Sequence, residues 1–155
     1  MRDIALGQLK SMNKFVIYTD GGARGNPGLA AIGVAIEGPK SAGADRMNKN
    51  YSEQIGETTN NIAEYKAVIF ALKKAKHLLG GEKCAEAEIE IRSDSELLVS
   101  QIKGDYKIKD KELQPLFLEV WNLKQDFKNV DFILIPREEN KIADGLVNRA
   151  LDTLI

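Results

Sequence analysis

Apolar residues recur with two different periods along this chain, and the places where the period changes divide it into elements. Lys14–Asp20 (KFVIYTD) is a run of aromatic and β-branched residues and reads as a buried strand. Gly21–Gly28 (GGARGNPG) is rich in residues that tolerate tight backbone and reads as a turn. Leu29–Glu37 predicts a second strand, ended by Gly38-Pro39. Arg46–Ile55 alternates weakly through Met47, Tyr51 and Ile55 and predicts a third strand at a sheet edge. The short links between the three favour an antiparallel meander.

The period then lengthens. Thr58-Thr59-Asn60-Asn61 offers N-cap side chains. Beyond it Ala63, Ala67, Phe70, Ala71, Ala75 and Leu78 share one helical face as far as Leu79, with Gly80-Gly81 as the stop. Ala87–Arg92 (AEIEIR) returns to strict alternation, a strand. Ser93-Asp94-Ser95 caps a short helix through Ile102, broken by Gly104. Asp110–Phe127 predicts a helix carrying Leu113, Leu116, Phe117, Val120, Trp121 and Leu123. Val130–Ile135 predicts the last strand, stopped by Pro136, and Glu139–Leu151 a closing helix with Ile142, Leu146 and Leu151 inward. The order β-β-β-α-β-α-α-β-α predicts an α/β fold, a mixed five-stranded sheet with helices on its faces and parallel pairing in the second half.

Composition narrows the class. The 155 residues, 43% hydrophobic and 29% charged, suit one globular domain. Residues 1–12 are set apart as an N-terminal extension without the apolar core of a signal peptide, and 13–155 as the single domain. No apolar run is long enough to span a membrane. Cys84 is the only cysteine, so no intramolecular disulfide can form and a reducing, cytoplasmic setting is expected. His77, the only histidine, lies among helix lysines and suggests no Cys–His pair. With a net charge of −1, bulk charge does not point to nucleic acid. Any polyanion must be met by local positive charge or by metal ions.

Four acids stand out by position. Asp20 closes the first strand, Asp94 follows the fourth, and Glu64 and Asp144 lie in the first turns of helices. In open α/β sheets ligands gather outside the carboxyl ends of strands. Each acid alone has an ordinary explanation: Asp94 as an N-cap, Glu64 and Asp144 as complements to helix dipoles. Together they repel, and a cation relieves that. Hard oxygen ligands suit Mg²⁺ or Mn²⁺, and two such ions ~3.5–4 Å apart assist phosphodiester cleavage.

The surrounding residues sharpen this. Tyr18-Thr19-Asp20-Gly21-Gly22-Ala23-Arg24-Gly25-Asn26-Pro27-Gly28 closely resembles the opening motif of type 1 ribonuclease H. Thr59-Asn60-Asn61-Ile62-Ala63-Glu64, Ser93-Asp94-Ser95 and Asn140-Lys141-Ile142-Ala143-Asp144 resemble its later motifs, in family order across nearly the whole chain. The resemblance implies a metal-dependent endonuclease that hydrolyses the RNA strand of an RNA–DNA hybrid, leaving 5′-phosphate and 3′-hydroxyl ends. It implies two bound ions, with Asp20 bridging them, Glu64 and Asp94 on the leaving-group side and Asp144 beside the attacking water. Glu64 is also implied as a contact to a ribose 2′-hydroxyl. Gly21, Gly22, Ala23, Asn60 and Asn61 match positions that read the minor groove, and Asn26 and Thr59 a pocket for a DNA-strand phosphate. Ser95 and Arg137 join the expected substrate contacts. Capping and turn chemistry are the ordinary explanation of the asparagines, and the two readings are compatible.

The chain departs from the family pattern in three places. The loop Pro136-Arg137-Glu138-Glu139-Asn140 has no histidine where many members carry one, and Arg137 stands there instead. The basic helical protrusion of some members is reduced to a loop holding Lys103, Lys107, Lys109 and Lys111. No separate hybrid-binding domain fits, so modest affinity and low processivity are expected. Glu96 introduces an acid where a neutral residue is common. The expected protein is a monomer, with double-stranded RNA as a possible second substrate. The competing readings are a non-catalytic hybrid-binding module of the same fold and another nuclease of the wider superfamily.

Overall fold

A computed structural model describes residues 13–153. The expected extension at residues 1–12 falls outside the described residues, as does any contribution of residues 154 and 155. The strands are β1 (Lys14–Gly25), β2 (Gly28–Glu37), β3 (Asn48–Thr58), β4 (Glu88–Ser93) and β5 (Asn129–Leu134). They form one sheet in the order β3-β2-β1-β4-β5. β1, β2 and β3 are antiparallel neighbours, and β4 pairs parallel with both β1 and β5. The helices are α1 (Asn60–Leu79), α2 (Gly81–Glu86), α3 (Glu96–Ile102), α4 (Gln114–Lys124) and α5 (Lys141–Asp152). Short 3₁₀ turns occupy Lys40–Asp45 and Arg137–Glu139.

Alternation along the strands sends side chains to two faces. Phe15 and Ile17 of β1, with Val34 and Ile36 of β2, join α1 and α4 in the larger core around Tyr65, Val68 and Leu72. Ala31 points the other way and packs with Val147, Ala150 and Leu151 of α5. Helices therefore cover both faces, as expected.

Four local expectations change. The glycine-rich segment is strand rather than turn: β1 and β2 pair continuously to Gly25↔Gly28, and only Asn26-Pro27 makes the turn. The short helix α2 follows α1 directly, because Gly80 leaves the helical region (φ +77°) and its carbonyl accepts the Cys84 N–H to start a new turn. The helix expected over 110–127 is confined to Gln114–Lys124. Pro115 fixes its first turn, Asp110 ties up the preceding backbone in a turn, and the chain leaves through 3₁₀-type bonds at Gln125–Phe127. Ile142 points to solvent, since the buried stripe of α5 is Ala143, Leu146, Val147, Ala150 and Leu151. No helix among the described residues is long and apolar enough to cross a membrane.

Candidate active site

The carboxyl end of β1 sets the first carboxylate. Beside Asp20, Gly21 faces the start of α1, and a Cβ on it would overlap the backbone of Ala63 and Glu64. The missing side chain lets α1 approach until the Gly21 N–H donates to Glu64 Oε1. On β2, Gly33 pairs opposite Asp20, and a Cβ there would overlap the carbonyl of Ala143. That second close approach brings the first turn of α5, with Asp144, against the sheet. β4 ends at Ser93, and Asp94 follows at once. The Ser93 hydroxyl accepts from the Ser95 N–H, and Ser95 caps α3 by accepting from the Leu98 N–H at 3.2 Å.

Asp20, Glu64 and Asp94 thereby bring carboxylate oxygens within 4.8 Å of one another. Asp144 is exposed at the rim of the same cavity, where Asn148 Nδ2 donates to it at 3.4 Å. The cavity measures about 410 Å³. A larger groove of about 670 Å³ between β3 and α5 holds only Glu53 and Arg149 as charged groups and gathers no comparable chemistry.

The electrostatics of this arrangement are unfavourable without a cation. At such separations each pair of ionised carboxylates repels by roughly 3 kcal/mol at an effective dielectric constant near 20. Burial pushes the Asp20 carboxyl up to about 7, with the charges of Asp94 and Asp144 adding to the effect. Glu64 is likewise held well above the ordinary carboxylate range, by burial first and the Asp20 charge second, against the opposing Gly21 N–H. The donor set is all oxygen, with no sulfur or imidazole. Hard, clustered and negative, it fits a hard divalent cation.

The remaining expected residues surround the acids. Gly21, Gly22, Ala23, Asn60, Asn61, Ser95 and Arg137 line the same cavity. Asn26 and Thr59 stand beside it and work structurally. Asn26 Oδ1 accepts from the Asn60 N–H, Asn60 Oδ1 accepts from the Ala23 N–H, and the Thr59 hydroxyl accepts from the Ile62 N–H. These bonds lash the β1–β2 hairpin to the start of α1. They spend oxygens only, so the amide Nδ2 groups of Asn26 and Asn60 remain as donors for a ligand. Glu96 accepts from the Tyr106 hydroxyl at 2.9 Å, which draws its charge towards the Lys103–Lys111 loop.

Sequence reading missed Gly33, Asn140 and Asn148. An isolated glycine inside a strand signals a close backbone approach, and Gly33 in LAAIGVAIE carried that signal. Asn140 lay within a recognised motif, but nothing in the sequence marks its side chain as buried. Asn148 has no such marker.

Comparison with known proteins agrees with this geometry. Residues 18–150 match the family model described as reverse transcriptase-like. A bifunctional protein of Mycobacterium tuberculosis is 34% identical over 139 residues, covering 90% of this chain and 36% of its own length. Ribonuclease HI of Halobacterium salinarum is 36% identical over 136 residues, covering 87% of this chain and 63% of its own. The chain thus spans between about a third and two thirds of these relatives. A ribonuclease H1, LC11, isolated from compost by a metagenomic approach, superposes with a TM-score of 0.81 at 48% identity, over 91% of this chain and 97% of that one. The same protein has been solved in complex with an RNA/DNA hybrid. With its motifs, sheet order and acidic cluster all in place, the chain belongs to the ribonuclease H family, in the type 1 branch.

Proposed function

We propose that residues 13–155 form a catalytic unit that hydrolyses the RNA strand of an RNA–DNA hybrid. The observation that carries this is the convergence of Asp20, Glu64 and Asp94 within 4.8 Å, with Asp144 on the same cavity. Asp20 would hold both ions, Glu64 and Asp94 would hold the one on the leaving-group side, and Asp144 would hold the one beside the attacking water. When bound, two Mg²⁺ or Mn²⁺ ions supply an activated water and charge neutralisation at the phosphate. Water adds to phosphorus and gives up a proton to solvent, the bond to the ribose 3′-oxygen breaks, and the products carry 5′-phosphate and 3′-hydroxyl ends. The 3′-oxygen takes its proton from solvent.

Substrate recognition falls to groups around the acids. The donors left on Asn60 and Asn61 face the minor groove, where acceptors on bases and 2′-hydroxyls are presented. Gly21–Ala23 let backbone approach closely, while Asn26 and Thr59 meet a DNA-strand phosphate. Ser95 and Arg137 contact the backbone near the cut. The site is complete within one chain, which supports a monomer. The lone buried Cys84 suits a reducing compartment such as the cytoplasm.

Labelled RNA–DNA hybrid, double-stranded RNA and DNA duplex, each incubated with Mg²⁺ or Mn²⁺, test the proposal. Cleavage of the hybrid's RNA strand, abolished by EDTA, is expected, with double-stranded RNA cut more slowly if at all. Hybrid left intact at every ion concentration would sink it.

A further inference from the structure

We infer that Asn140 is a positioning residue for the acidic cluster, its buried amide holding Asp94 against the end of β1 while its backbone carries Asp144. The inference rests on the proposed nuclease site. Asn140 lies between the Arg137–Glu139 turn and α5 and is 1% exposed. Its Nδ2 donates to the Thr19 carbonyl at 2.9 Å and reaches Asp94 Oδ2 at 3.4 Å. Its own backbone carbonyl accepts from the Asp144 N–H at 3.1 Å. Thr19 is the residue before Asp20. One side chain and one carbonyl therefore touch the chain at the three remote places that deliver Asp20, Asp94 and Asp144.

The amide orientation is fixed by its partners. Both are oxygens, so the reverse flip would set Oδ1 against a carbonyl and a carboxylate. In the orientation found, Oδ1 is buried without a hydrogen-bond partner. A buried acceptor with no donor is a cost to folding. The usual reason for asparagine at a helix start is also missing, since the Asn140 side chain makes no cap bond to α5. Stability alone does not account for the residue. Its donors go to the cluster, and its oxygen is sacrificed to that end.

The choice of a neutral donor has its own logic. Asp94 is pushed away by the neighbouring carboxylates, so an orienting partner is needed. A lysine or arginine there would compete with the divalent cation. An amide holds the carboxylate in place and leaves its negative charge for the ion.

The test uses Asn140→Ala and Asn140→Ser in the full chain, with Mn²⁺ titrated into substrate-free protein by calorimetry and steady-state kinetics on hybrid. In a folded variant, half-saturation by Mn²⁺ rises and kcat falls, each about 10–100-fold, as for lost partners of metal-holding side chains. KM for hybrid stays within about threefold, because the contact is to the cluster and not to substrate. Wild-type Mn²⁺ affinity and kcat in a folded variant overturn the inference, as does a change confined to KM. If both variants fail to fold, Asn140 serves the fold and the inference also fails. A wild-type protein that binds Mn²⁺ yet leaves hybrid intact overturns the nuclease reading alone, and Asn140 is then judged by the titration.

Discussion

In the absence of a cation Asp20 keeps a proton up to about pH 7, because burial and the neighbouring acids disfavour its charge. In the unfolded chain the same carboxyl loses that proton near 3.8. Between those limits the folded state binds more protons than the unfolded one, so raising the pH through this window destabilises the fold. Metal-free protein should gain about 2 kcal/mol of stability between pH 8 and pH 5 from this group. Saturating Mn²⁺ takes the place of the proton and should flatten the profile. Urea melts at several pH values, with EDTA or with Mn²⁺, measure both effects; a flat metal-free profile would remove the claim of repulsion. Asp20→Asn separates site from fold at the same position. It removes one of the crowded charges, so metal-free protein at pH 8 should be about 1–2 kcal/mol more stable than wild type. Cleavage of hybrid should disappear altogether. A variant that both cuts at the normal rate and melts as before would show that Asp20 holds no ion.

The elements reach their places through absent side chains as much as through present ones. Gly33 leaves the gap into which the Ala143 carbonyl settles, and the next residue on α5 is Asp144. Gly33→Ala should force α5 outward, costing about 1–3 kcal/mol as overpacking does and lowering activity beyond the loss of stability. Gly145, also on α5, has open space around its missing Cβ. Gly145→Ala should instead stabilise the helix by about 0.5–1 kcal/mol. Opposite shifts in thermal melts are expected for two identical substitutions, and equal shifts would refute the close-approach account. The contrast also explains what the sequence made legible. Long-period patterning and strong caps reveal α1 fully, and its Thr59 cap forms as expected. The acids were legible because they stand in recognisable motifs at element ends. The strand character of Gly21–Gly25 was hidden, since glycines that read locally as a turn are selected here for packing against α1 and for pairing with β2. Ile142 misled for a related reason: one apolar residue beside the stripe of α5 looks like part of it until a neighbour fixes the helix's rotation.

For the whole molecule, the proposed function requires a polyanion to be brought to an acidic cavity on a chain of net charge −1. Cations at the site answer this locally but do not reach along a duplex. The exposed loop between α3 and α4 supplies Lys103, Lys107, Lys109 and Lys111, and among the described residues none of the four is in an ion pair. It begins at the end of α3, the helix whose N-cap Ser95 follows Asp94, and its lysines lie outside the lining of the acidic cavity. Each lysine that meets a phosphate should contribute roughly 0.7–0.9 to the slope of log affinity against log salt, from counterion release. Changing all four to glutamine should lower hybrid affinity and flatten that slope by up to about 3, while kcat at saturating hybrid stays near wild type. Binding measured between about 50 and 200 mM salt, in an Asp20→Asn background so that nothing is cut, gives the slope directly. A slope unchanged by the four substitutions would assign these lysines to solvent, and the affinity for hybrid would then have to come from Arg137, the asparagine donors and the cations themselves.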